Sequence, residues 1–164
     1  MGKIEADQPL LPSVLDRLID EDPASTREAP KTRGQLLRDL KQNVRRDLEN
    51  LLNTRQRCQS WPDSLSELEV SLVNYGIPDL TGAAMGSASG REELRRVFET
   101  TIRLFEPRFV KVAVALLGDA EPLDRTVRFR IDAMLHAEPA PEPVMFDSAL
   151  QPATGNVEIK GTRR

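Results

Sequence analysis

Cysteine and histidine are almost absent: the 164 residues contain one of each, Cys58 and His136. One cysteine excludes an internal disulfide, which fits a reducing, intracellular compartment. The pair also falls short of a zinc site, which needs three or four clustered ligands. Aromatics make up 4% of the chain and the formal net charge is −3. Few stacking platforms and no positive field argue against nucleic acid or an anionic membrane surface as partner. No apolar run approaches the roughly 20 residues needed to span a bilayer. The first residues lack an apolar signal core, and Ala6 stands where myristoylation wants Ser or Thr. There is no Gly-x-Ser-x-Gly elbow and no phosphate-cradling GxxxxGK[ST] run. The expectation is a cytosolic protein with no cofactor, no metal, no nucleic acid and no membrane insertion.

Hydrophobic content of 39% and charged content of 30% fit a soluble globular chain. The length suits one domain, read as residues 10–164 after a polar tail at 1–9, with linkers at 21–31 and 137–143. Leu11, Val14, Leu15, Leu18 and Ile19 recur at helical spacing. That short helix either caps the core or docks in a partner's groove. Thr32 and Gln35 form a capping box ahead of a long amphipathic helix with Leu37, Leu40, Val44, Leu48, Leu51 and Leu52 on one stripe. It ends near Asn53-Thr54-Arg55, and as the longest helix it is expected to pack on the sheet. Trp61 is expected to plug the edge of the core. Leu65, Leu68 and Leu72 suggest a short helix over 64–73, Asn74 to Asp79 is a turn by composition, and 81–90 is a small-residue loop.

Leu94, Val97, Phe98, Thr101, Ile102 and Phe105 place a one-sided stripe on a helix over 91–105, with Ser87 or Ser89 as its cap. Val110, Val112, Val114 and Leu116 alternate over the next stretch. Val127, Phe129, Ile131, Ala133 and Leu135 alternate over 125–136, opposite Arg128, Arg130, Asp132 and His136. Two such runs and a short connection predict an antiparallel hairpin with one wet face, on which His136 is solvated. Val144, Met145 and Phe146, and then Val157, Glu158 and Ile159, predict two short strands beside a free tail, Arg163-Arg164. They leave sheet edge exposed, which a monomer would blunt and an assembly protein would use for strand addition. The fold class is α+β, helices on a small, mainly antiparallel, curved sheet with an exposed edge.

Between the second stripe and the first strand stands Glu106-Pro107-Arg108. Proline disfavours the α region for Glu106 and has no amide hydrogen to continue a helix. A carboxylate and a guanidinium therefore flank a rigid corner. They can pair with each other, or with helix neighbours, as a private salt bridge worth about 0–1 kcal/mol at a surface. Alternatively they pair across an interface, where breaking one partner costs about 2–5 kcal/mol. A glycosidase would need a second carboxyl group at fixed separation from Glu106, and nothing in the sequence singles one out. Assembly is favoured over catalysis.

Leu104-Phe105-Glu106-Pro107-Arg108-Phe109 resembles the Glu-Pro-Arg motif of TssE, the sheath-initiating baseplate family of bacterial type VI secretion systems, related to the phage tail wedge protein that starts the contractile sheath. Four further segments agree in order: Ser13 to Leu18, Leu51 to Arg55, Ser71 to Leu80, and Phe129 to Ala133. Val14, where phenylalanine is common, and the loop at 82–90 depart from the pattern. The resemblance implies a non-enzymatic component whose Glu106, Pro107 and Arg108 dock on the wedge core. It implies that edge strands carrying Val144, Met145, Phe146, Val157, Glu158 and Ile159 template the sheath. The implied partners are the baseplate proteins TssF, TssG and TssK and the sheath proteins TssB and TssC. The implied location is the cytoplasm, with the baseplate docked at the inner membrane complex.

Overall fold

The computed structural model describes residues 10, 13–19, 31–57, 60–79, 87–118, 126–137 and 140–161. The tail at 1–9, most of the 21–31 linker, Cys58, residues 80–86, 119–125, 138–139 and 162–164 lie outside the described residues. The elements are α1 (Val14–Leu18), α2 (Arg33–Asn53), two 3₁₀ stretches (Asp63–Val70 and Leu72–Asn74), α3 (Ala88–Phe105), β1 (Phe109–Leu116), β2 (Val127–Leu135), β3 (Glu142–Gln151) and β4 (Asn156–Gly161).

Both long helices start where a hydroxyl can take an orphan amide. The Thr32 hydroxyl accepts the Gln35 N–H, and the Gln35 side chain accepts the Thr32 N–H at 2.7 Å. The Ser87 hydroxyl accepts the Gly90 N–H at 3.0 Å, so α3 begins at Ala88 and not at Arg91. α3 ends where Pro107 ends it: Glu106 still donates its N–H to Ile102, then leaves the helix at φ −120°, ψ 79°.

The four strands form one open antiparallel sheet in chain order, β1-β2-β3-β4. The hairpin over β1 and β2 is present, and β2 alternates throughout, with Val127, Phe129, Ile131, Ala133 and Leu135 all turned inward. α2 runs along β4 and α3 along β1. Leu40, Val44, Leu48, Leu51 and Leu52 of α2 meet Leu94, Phe98 and Ile102 of α3 in one core with the inner face of the sheet. The Phe98 and Phe129 rings pack at 4.7 Å between centroids. The fold is the expected α+β class.

Several local expectations fail for identifiable reasons. Val110 is 60% exposed, because the β1–β2 register slips between Phe109 and Lys111 and the bulge turns Val110 outward. The 63–73 segment is 3₁₀ and kinked at Leu65, so Leu65 and Leu72 do not share a buried stripe and both are exposed. Trp61 is half-buried in a shallow cleft with Gln56, Glu69, Asn74 and Leu104, outside the core. β3 starts at Glu142, inside the expected linker, because β2 extends to Leu135 and offers it a ladder partner. Pro143 is tolerated as the second residue of the strand.

Candidate functional site: a charge cluster beneath a proline corner

The corner residues sit between the last turn of α3 and the first pair of β1. Phe109 donates its N–H to the Glu106 carbonyl at 3.2 Å, and His136 donates its N–H to the Arg108 carbonyl at 2.7 Å. The corner is thus fixed to the end of β2 as well as to its own strand. His136 itself is exposed, as expected of the wet face.

Glu106 and Arg108 pair with each other in this chain. Arg108 Nε reaches Glu106 Oε1 at 2.6 Å and Nη2 reaches Oε2 at 2.5 Å. Glu106 is buried at 5% exposure, whereas Pro107 is exposed. The same guanidinium reaches Asp47 of α2 at 2.7 Å and stands 3.8 Å from Asp16 of α1. Arg46 closes the ring, 2.7 Å from Asp16 and 3.1 Å from Asp47. Three carboxylates and two guanidiniums from three distant parts of the sequence therefore form one cluster. Burial alone would push the Arg108 pKa down, but Glu106 and Asp47 outweigh it and hold it above its ordinary value. One nitrogen, Arg108 Nη1, is buried with no hydrogen-bond partner among the described residues.

α1 is anchored on this cluster through Asp16. Its capping box is Ser13 with Asp16, and the Asp16 carboxylate is nearly inaccessible. Its apolar residues face outward: Val14 and Leu18 are about three-quarters exposed, and Leu15 and Ile19 are also exposed. Leu11, the first residue of the expected stripe, lies outside the described residues, and the exposure of the other four does not fit a helix that caps the core. Leu10, just before it, enters the core instead. A charge-anchored helix with an apolar outer side holds on only while Asp16 is ionised. Burial raises the Asp16 pKa, yet the Ser13 and Arg46 hydrogen bonds pull it below the ordinary value overall. Its ionised form is favoured in the folded chain, so the stabilisation is present above the unfolded carboxyl pKa of about 3.9 and is lost as pH falls through the lower folded pKa. Expected outcome: amide exchange of Asp16 and Ile19, whose N–H groups bond Ser13 and Leu15, rises as pH drops below about 4 while α3 stays protected. Asp16→Asn should produce the same opening at neutral pH.

The Tyr75 ring packs edge-on against Phe105 at 5.3 Å, joining the 74–79 turn to the residue before the corner. That turn is itself stitched to the end of α2: Ile77 donates to the Thr54 carbonyl and Gln56 donates to the Ile77 carbonyl, each at 2.9 Å. Two separate segments that carried the family resemblance, Leu51 to Arg55 and Ser71 to Leu80, are thus in direct contact. Ile77 is fully buried, a core residue that its place in a turn concealed.

The predicted edge residues are divided. β3 lies inside the sheet, so Val144, Met145 and Phe146 are on an inner strand, with Val144 and Phe146 turned into the core. β4 is terminal, and Val157 and Ile159 point inward while Glu158 is exposed. Among the described residues no group of three or more metal-ligating side chains occurs, and no helix is long and apolar enough to cross a membrane.

The model of the family described as "Baseplate wedge protein gp25" matches residues 38–140. That span takes in α2 from Arg38 onward, α3, the corner, β1 and β2. No curated protein matches the chain. A chain in a solved structure titled "The baseplate complex from the type VI secretion system" is 20% identical, with a TM-score of 0.47, over 67% of this chain and 93% of that one.

Proposed function

Because this chain belongs to the family of the baseplate wedge protein gp25, we propose that it is a non-enzymatic wedge component of a type VI secretion baseplate. It docks through its proline corner on a wedge core of the TssF and TssG kind, within a cytoplasmic assembly that also includes TssK. It starts the TssB–TssC sheath by strand addition at the sheet edge.

The observation that carries the docking is the division of labour at the corner. Glu106 and Arg108 are turned inward and pair with each other, and Arg108 also holds Asp47 and stands near Asp16, while Pro107 is exposed between two exposed apolar side chains, Leu104 and Val110. The charges act by holding the corner rigid. The contact surface is the proline and its apolar flanks, and a rigid, preorganised patch loses little freedom on binding. Strand addition is assigned to β4, one of the two terminal strands, at Val157, Glu158 and Ile159; the turn at 152–155 brings it against β3, where these three residues pair with Leu150, Ala149 and Ser148, while Val144 and Met145 lie beyond the end of β4 and only Phe146 reaches it, opposite Gly161. Hydrolysis at Glu106 finds no support, since the Arg108 guanidinium takes both of its carboxylate oxygens.

The test uses Val110→Glu, an exposed position where stability should change by less than about 0.5 kcal/mol. Capture of purified TssF/TssG-like wedge core should fall about tenfold or more, as for a desolvated contact now carrying an unpaired charge. Unchanged capture by Val110→Glu and by Leu104→Glu would remove the corner from the docking surface.

A further inference from the structure

The outer edge of β4 is occupied by side chains of α2. Asn53 exchanges two hydrogen bonds with Val157: its Nδ2 donates to the Val157 carbonyl and its Oδ1 accepts the Val157 N–H, both at 2.8 Å. A carboxamide has the same donor and acceptor as a peptide group, so this pair copies one hydrogen-bonded pair of an antiparallel ladder. Two residues on, the role is split. Arg45 donates to the Ile159 carbonyl at 2.9 Å, and the Ile159 N–H points to Glu49 at 3.4 Å. Before Val157, the Gly155 carbonyl accepts from Arg55.

The spacing explains why one helix can do this. Four residues of α-helix rise about 6 Å, close to the roughly 6.7 Å spanned by two residues of strand. Positions 45, 49 and 53 therefore keep step with alternate residues of β4. Those alternate residues turn their backbone groups away from β3, and Glu158 and Lys160 turn theirs toward it. The exposed edge of the sheet is thus supplied with a surrogate fifth strand made of side chains.

We propose that Arg45, Glu49 and Asn53 guard the β4 edge: they keep the free chain from pairing this edge with a second copy, and an incoming extended segment must displace them. This rests on the strand-addition reading above and adds its regulation. The partner it admits is an extended backbone that offers a donor and an acceptor at every second residue. Unguarded terminal strands pair with one another, which is the hazard such a cover removes.

The experiment compares the full chain with Glu49→Ala/Asn53→Ala, following amide exchange by NMR and association by sedimentation velocity. Exchange at Val157 and Ile159 should accelerate about tenfold or more, while Glu158 and Lys160 stay within about twofold. A concentration-dependent dimer should appear that the parent chain and Asn50→Ala do not form. Asn53→Asp, which keeps an acceptor for the Val157 N–H but loses the donor to its carbonyl, should fall between the two and covers the case in which the double variant unfolds. Accelerated exchange in a chain that stays monomeric overturns the guard, and so does unchanged exchange. Neither readout uses the sheath, so failure of strand addition to the sheath is detected separately, by polymerisation of sheath protein on the parent chain.

Discussion

Arg108→Ala should destabilise the isolated chain by about 3–5 kcal/mol, the range found when one partner of a buried ion pair is removed. The loss comes mainly from the carboxylate left behind. Glu106 is 5% exposed, and the Arg108 guanidinium bonds both of its oxygens, leaving only the backbone N–H of residue 108 at 3.3 Å once the side chain is removed. Asp47 loses one of its two cations at the same time and Asp16 loses a neighbour, although Arg46 still holds both. At this chain length the midpoint of thermal unfolding should fall by on the order of 10 °C. Adding Glu106→Gln to Arg108→Ala should return part of the stability, because the stranded charge is then gone. A cycle of four denaturant melts measures this directly. A cost below about 1 kcal/mol for Arg108→Ala would mean that water reaches Glu106 and that the cluster behaves as an ordinary surface pair.

This result changes how the corner must be tested. From the sequence, where the resemblance places Arg108 in the docking corner, Arg108→Ala is the natural docking variant. The structure makes Arg108 a support inside the molecule, so weakened capture by that variant would report lost structure as readily as a lost contact. Val110→Glu and Leu104→Glu separate the two, since both side chains are exposed and neither is a member of the ion-pair cluster.

The sequence and the structure agree where a pattern is local. The stripe from Leu94 to Phe105, the capping box at Thr32, the alternation of β2 and the break at Pro107 each follow from spacing or backbone chemistry. The corner was legible as a rigid junction. Its electrostatics were not, because Asp47 lies 61 residues from Arg108 and nothing along the chain marks it as the partner. The orientation of α1 stayed open for a related reason: apolar residues at helical spacing say nothing about which side faces in when an inaccessible Asp16 carboxylate supplies the anchor. The bulge at Val110 needed the β2 register, and the cover on β4 needed the distance match between a helix turn and a strand pair.

Gly76→Ala should cost about 3 kcal/mol, near the upper end for a strained backbone position that cannot relax. Gly76 has φ +112°, a conformation an L side chain rarely adopts. Space is closed as well: an added Cβ would overlap the Thr54 carbonyl oxygen and lie 2.8 Å from its carbon. Neither side can retreat cheaply. Thr54 follows the last turn of α2, and its carbonyl accepts the N–H of Ile77, which is fully buried in the core. Gly155 is the useful contrast. It also has a positive φ, +68°, but there the Cβ would meet the tip of the Arg55 side chain, which can swing aside. Gly155→Ala should therefore cost less, about 1–2 kcal/mol, chiefly from the left-handed backbone and the lost Arg55 bond. The Gly76 effect should also reach the corner. Tyr75 packs on Phe105, one residue before Glu106, so displacing the turn removes that support. In Gly76→Ala, amide exchange at Phe109 and His136, which tie the corner to β1 and β2, should rise ahead of exchange in β3. If all of these amides open together, the turn is a clamp on the whole domain; if the corner opens first, it is a clamp on the corner, as the edge-on contact of Tyr75 with Phe105 implies.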